Sequence, residues 1–164
     1  MTDPASSTLK VSTPSDREIV MTRAFDAPRD LVFEAWTKPE HVRHWWGRRG
    51  STIVHCEADV RPGGPWRYVT REENGVEVPF IGVYREVTPP ERLVHTEIYD
   101  VEPFNSGDPA VVTVTFSEEA ARTTVTVTSL YPTKEVRDIV LGSGMEVGAA
   151  DSYDRLAERL ATLV

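Results

Sequence analysis

Residues 143–164 read SGMEVGAADSYDRLAERLATLV. Met145, Ala149, Ser152 or Tyr153, Leu156, Leu160 and Leu163 recur at three- and four-residue steps, which stacks them along one side of a helix. Asp151, Asp154, Arg155, Glu158 and Arg159 fall mostly on the other side. Ser143 is placed as the N-cap, with Glu146 completing a capping-box pattern. A helix with one apolar stripe cannot bury it alone. The rest of the chain is strand-rich, so a sheet must receive it. The expectation is an α+β fold: a curved antiparallel sheet of six to seven strands around a long C-terminal helix, with function in the space between them.

Working back from that helix, Thr123 to Tyr131 and Val111 to Glu118 alternate valine or phenylalanine with threonine or serine, the pattern of half-buried antiparallel strands. Lys134 to Leu141 predicts a short helical turn. Arg92 to Asp100 and Val76 to Val87 read as strands, with Pro79 placing the latter's start at an edge or bulge. Asn74-Gly75 marks the hairpin joining it to Trp66–Glu72. Ser51 to Val60 is a further strand, with Val54, Cys56, Ala58 and Val60 on its apolar face. The first strand is Asp16 to Phe25, with Ile19, Met21 and Phe25 on one side. Two short helices follow, one capped by Asp26 with Pro28 in its first turn, the other PEHVRHWW, closed by Gly47. Val101 to Ala110 is a loop long enough to cover something. Residues 1–15, rich in Ser, Thr and Pro, read as a flexible tail ahead of one domain spanning 16–164.

The chain has 164 residues, sufficient for one domain with a real core. A net charge of −8 argues against nucleic acid or an anionic membrane as partner. A single cysteine, Cys56, forms no internal disulfide and fits a reducing compartment. With no secretory h-region and no run of transmembrane length, the expected location is cytoplasmic and membrane insertion is not expected.

RAFDAPRDLVFEAWTKPEHVRHWWG, DVRPGGPWRYV, GVYREVTPPERLVHTE and GMEVGAADSYDRL together resemble the START-like or SRPBCC superfamily, with its birch-pollen-allergen-like helix-grip fold. Within it they look most like the branch named for the C-terminal domain of the heat-shock-chaperone ATPase activator. The resemblance runs from Arg17 to the C-terminus and implies a chamber between sheet and last helix. Members of this branch often carry tryptophan where this chain has Ala149; the smaller residue either enlarges the chamber or is offset by Tyr153 or Trp46. The resemblance favours Trp46, Trp66, Tyr68, Tyr84, Met145 and Tyr153 as lining a site for an apolar small molecule, with Trp66 and Tyr68 foremost. Trp45 is as readily a surface or mouth residue.

His95 and Glu97 stand two apart on one strand and so share a face. Facing inward, they are polar groups in an apolar chamber, and the carboxylate's pKa rises. Facing outward, they are solvated and inert. Leu93 argues for the interior; Val94 and Ile98 argue the reverse, and the balance tips slightly to solvent. His41 and His44 have a metal-compatible spacing, but no third ligand accompanies them, since His55 and Cys56 sit on opposite faces. No metal site, cofactor or catalytic residue is assigned, because no nucleophile elbow, P-loop or dinucleotide fingerprint occurs.

Three functional readings follow. The first is a binding protein for an apolar or lipid-like small molecule. The second is a polyketide-cyclase or aromatase-like enzyme in which His95, Glu97 or Tyr84 moves protons. The third is a chaperone partner, doubtful because no counterpart of the eukaryotic activator's separate N-terminal domain is seen. A homodimer stays open.

Overall fold

The computed structural model describes residues 8–164. Its elements run β1 (Lys10–Ser12), β2 (Glu18–Phe25), α1 (Arg29–Thr37), α2 (Pro39–Val42), β3 (Thr52–Ala58), β4 (Pro65–Arg71), β5 (Glu77–Thr88), β6 (Arg92–Tyr99), β7 (Ala110–Glu119), β8 (Arg122–Leu130), α3 (Lys134–Leu141) and α4 (Met145–Ala161). The strands form one sheet in the order β1-β2-β8-β7-β6-β5-β4-β3. Hairpins join β3 through β8 in sequence, and β2 returns to pair with β8, Glu18 opposite Leu130. All pairings are antiparallel.

The period-two pattern decides which face is buried. Val125 and Val127 on β8, Val112, Val114 and Phe116 on β7, and Leu93 on β6 turn inward to meet α1 and α4. The intervening threonines of β8 keep partial exposure on the other face. From α4, Tyr153, Leu156 and Leu160 are buried against this sheet. Complete burial of a side chain such as Leu156 contributes roughly 2 kcal/mol. The predicted apolar stripe is therefore the surface the sheet grips.

Several expectations are corrected. The sheet has eight strands because part of the segment read as a tail, Lys10–Ser12, pairs with β2 as an edge strand; residues 1–7 lie outside the described residues. Ser143 does not cap α4. The N-cap is Gly144 at φ +83°, a conformation glycine adopts freely, while the Ser143 hydroxyl donates to the Val140 carbonyl at the end of α3. Asp26 does not cap α1 either: Pro28 holds that position, and Asp26 pairs with Arg122 at 3.0 Å. A register shift between Ile53 and His55 turns Val54 out to solvent and leaves Ile53 and Cys56 facing the core. Pro79 lies in an interior strand, opposite Val69 of β4, and its carbonyl accepts from Asp100 N–H.

Candidate functional site

The site begins with a break in the β5–β6 ladder. The Trp66 indole N–H donates to the Thr96 carbonyl at 3.1 Å, reaching from β4 to β6 with β5 between them. Gly82 makes the reach available: a Cβ there would stand 1.9 Å from the Thr96 carbonyl oxygen and 2.4 Å from Trp66 Nε1. With that carbonyl engaged, the Val83 N–H turns to the Thr96 hydroxyl, 2.9 Å away. This close approach seats Trp66 against Tyr68 and His95, with ring centroids 5.0 and 5.3 Å apart.

His95 and Glu97 lie on the face of β6 that carries fully buried Leu93, so they point into the concave side and not to solvent, against the balance struck from sequence. Val94 and Ile98 take the outer face. His95 Nδ1 lies 3.0 Å from the Thr96 carbonyl. A carbonyl only accepts, so Nδ1 carries the proton and Nε2 is left as an acceptor. Burial holds the imidazole neutral, lowering its pKa to about 4. Burial alone raises Glu97 to about 7. Among the described residues the Glu97 carboxylate has no hydrogen-bond or ion-pair partner, and no cation acts on it. It nevertheless retains some accessible surface. The small cavity of the interior is lined by His95 and not by Glu97. The hydroxyls of Tyr131 and Tyr153 are near enough to Glu97 for its charge to raise their pKa values, on top of the larger effect of burial.

The aromatic end of the interior is nearly filled. Trp36, Trp45, Trp46, Trp66, Tyr68, Tyr84 and His95 surround a cavity of about 20 Å³, enough for one water. The open chamber expected behind Trp66 and Tyr68 is thus closed in this conformation. Tyr68 and Tyr84 hydrogen-bond to one another, and burial pushes Tyr84 up to about 12. Trp45 is not a mouth residue: it is 1% exposed and its N–H donates to the Ala35 carbonyl at 3.0 Å. Trp46 is half-buried, stacked edgewise on Tyr68 at 5.0 Å and Phe80 at 6.1 Å. Its indole N–H meets no acceptor among the described residues.

From α4, Tyr153 packs on Trp36 and Trp45 at 5.4 and 6.3 Å, while Met145 and Ala149 line the same interior from half-buried positions. Two residues escaped the sequence reading of the site. Trp36, on α1, packs on Trp45 at 5.0 Å and on Phe116 at 5.8 Å. Arg23 follows the Ile19-Met21-Phe25 spacing inward, where it pairs with Asp154 at 3.0 Å and lies over the Phe25 ring. The period-two register of β2 is the signal that places it there.

The remaining candidates do not assemble. His41 stands 3.2 Å from an Arg159 nitrogen, and no group of metal-compatible side chains occurs among the described residues. Cys56 is buried and its thiol is raised to about 11, so it stays protonated. No helix among the described residues is long and apolar enough to cross a membrane.

A curved sheet gripping one terminal helix, with an aromatic interior and inward polar groups, defines a ligand-binding type of domain. Residues 26–161 match the family model for Activator of Hsp90 ATPase homolog 1-like protein, and the chain belongs to that family. A protein from Rhodobacter sphaeroides is 26% identical, with a TM-score of 0.86 over 94% of this chain and 99% of that one. A Mycobacterium smegmatis protein, 22% identical, superposes with a TM-score of 0.83 over 96% of this chain and 97% of its own. A Nitrosomonas europaea protein, also 22% identical, gives 0.81 over 92% and 98%. These last two show the fold alone. A search of curated proteins returned no match.

Proposed function

We propose that this protein binds an apolar small molecule between the inner sheet face and α4. The carrying observation is Glu97: a deep carboxylate without a protein partner, beside a neutral His95, on a face otherwise lined by aromatic rings. Buried polar groups are ordinarily satisfied, so an unsatisfied one that still touches space is a position where a guest supplies the missing partner. The 20 Å³ at the aromatic end is too small for such a guest. Admission there requires a wall to move, and Trp36 and Trp46 are the half-buried rings of that wall whose N–H groups meet no acceptor among the described residues. Met145 and Ala149 offer the apolar contacts from above.

Native mass spectrometry of gently purified protein, with titration of a neutral solvatochromic dye such as Nile red, tests the reading. A stoichiometric guest, or saturable dye binding that a bound guest displaces, supports it. Empty protein that also leaves the dye in water refutes it.

A second reading rests on the same carboxylate. A group with pKa about 7 in a water-poor site is suited to accept a proton near neutral pH. It predicts chemical change of the bound molecule, lost in Glu97→Gln with binding retained.

A further inference from the structure

The outer face of the sheet differs from strand to strand. On β8 the positions that alternate away from the core are threonines. On β5 and β6 they include Ile81, Val83 and Ile98, and Val83 is 42% exposed. With Pro65 and Pro109 these residues border an open groove of about 500 Å³. Small-molecule sites usually occupy about 300–1,000 Å³. The cavity within the fold, by contrast, is about 20 Å³. Pro109 ends the long β6–β7 connection, so that connection does flank a space of binding size. Exposed apolar surface gathered in one concavity marks an interaction site.

The polar groups around the groove select its occupant. Arg67 borders it from β4 and is exposed, with no hydrogen bond or ion pair among the described residues. Arg71, on the same face of β4, is held by Glu77 at 2.8 Å. Glu57 stands directly opposite Arg67 on β3 and borders the groove too, but its carboxylate lies 3.4 Å from His55 Nε2 and makes no ion pair with Arg67. Thr96, 8% exposed, also lines the groove. Its hydroxyl accepts from the Val83 N–H at 2.9 Å, and its own proton has no acceptor among the described residues. The open positions are therefore a guanidinium and a hydroxyl donor. A carboxylate accepts from both and can meet the guanidinium with two parallel bonds. An ammonium head would meet the like charge of Arg67, and its acceptor, Glu57, already has His55 beside it. The net charge of −8 opposes anions at long range, but salt screens it beyond about 8 Å at physiological ionic strength, so the groups at the groove decide. We propose that the outer groove is a second binding site, separate from the space between sheet and α4, for an apolar carboxylate whose head pairs with Arg67.

The test is a nitrogen-15 NMR titration of the whole protein at neutral pH and physiological salt. The probes are decanoate, decanol and decylamine, each below its micellar concentration. Decanoate should shift the Ile81, Val83 and Ile98 amides saturably. It should bind about fivefold tighter than decanol, the gain expected of one exposed charge pair, and decylamine should bind worst. Arg67→Gln should bring decanoate down to the level of decanol. Val83→Ser, at an exposed position, should weaken acid and alcohol alike. Equal binding of acid and alcohol, a preference for the amine, or an acid preference that survives Arg67→Gln overturns the assignment of the head group. Shifts confined to the Met145 and Ala149 amides, or no saturable shift at all, overturn the groove as a site. None of these results bears on whether the inner face binds Nile red, so the two sites stand or fall separately.

Discussion

Glu97→Gln has a consequence for stability whose sign and pH range are set by the fold. The folded protein holds the Glu97 proton up to about pH 7, whereas the same side chain in the unfolded chain releases it near 4.5. Between those values the native state binds more protons than the unfolded state, so stability falls as pH rises. The contribution of protonated Glu97 is fully present below about 4.5 and lost as pH passes through about 7. The interval between 4.5 and about 7 corresponds to roughly 3 kcal/mol. Glutamine is close to isosteric with the protonated acid and does not titrate. The variant should match wild type at about pH 4.5 and exceed its unfolding free energy by up to roughly 3 kcal/mol at about pH 8. Residual solvent contact at the carboxylate lowers the attainable figure. His95 works in the opposite sense: its neutral form is favoured, so its contribution is lost as pH falls from 6.5 through about 4. Because His95 is common to both proteins, the difference between two urea unfolding series across this range isolates Glu97. A difference that stays flat with pH, or a variant less stable than wild type on the alkaline side, refutes the placement of Glu97 in a water-poor interior.

Gly82→Ala should destabilise by roughly 3 kcal/mol or more in equilibrium unfolding, because the new methyl falls on the Thr96 carbonyl and the Trp66 indole at 1.9 and 2.4 Å. A neutral outcome would mean that the indole does not bridge the strands. Ala121 sits at φ +61° in the β7–β8 turn, so Ala121→Gly should raise stability by up to about 1 kcal/mol; a lower melting temperature would contradict the left-handed assignment. Ala149→Trp places an indole in the interior beside Tyr153 and should weaken Nile red binding by about tenfold or more, given the half-buried position of Ala149. Undiminished dye affinity in a folded variant would locate the guest elsewhere.

The regular parts of the fold were legible because one physical pattern governs them. The valine–threonine alternation of β7 and β8 and the Tyr153-Leu156-Leu160 stripe are dictated by burial of one face, and both appear as the pattern predicts. The misses fall where a local choice depends on a distant partner. Val54 reads as inward until the shift beside it reverses the pleat. Asp26 and Ser143 are good caps in isolation, but one finds Arg122 and the other finds the end of α3. Lys10–Ser12 has no strand pattern of its own and is ordered by β2. For the candidate site, spacing established that His95 and Glu97 share a face. Choosing which face required knowing that Leu93 is buried, and the closed state of the aromatic end depends on how Trp36 and Trp45 meet Tyr153.

The pairing of β2 with β8 also bears on how the chain is made. During vectorial synthesis, Glu18 leaves the ribosome long before Leu130 exists, so the strand has no partner on its inner edge. The β3-to-β7 hairpins can pair as they emerge, with Trp66, Tyr68 and Tyr84 open to solvent until α4 is translated. The last helix of the described chain is therefore also the closing step of a long-range assembly, and a nascent chain stalled before Met145 would present an adhesive aromatic surface to whatever holdase is near.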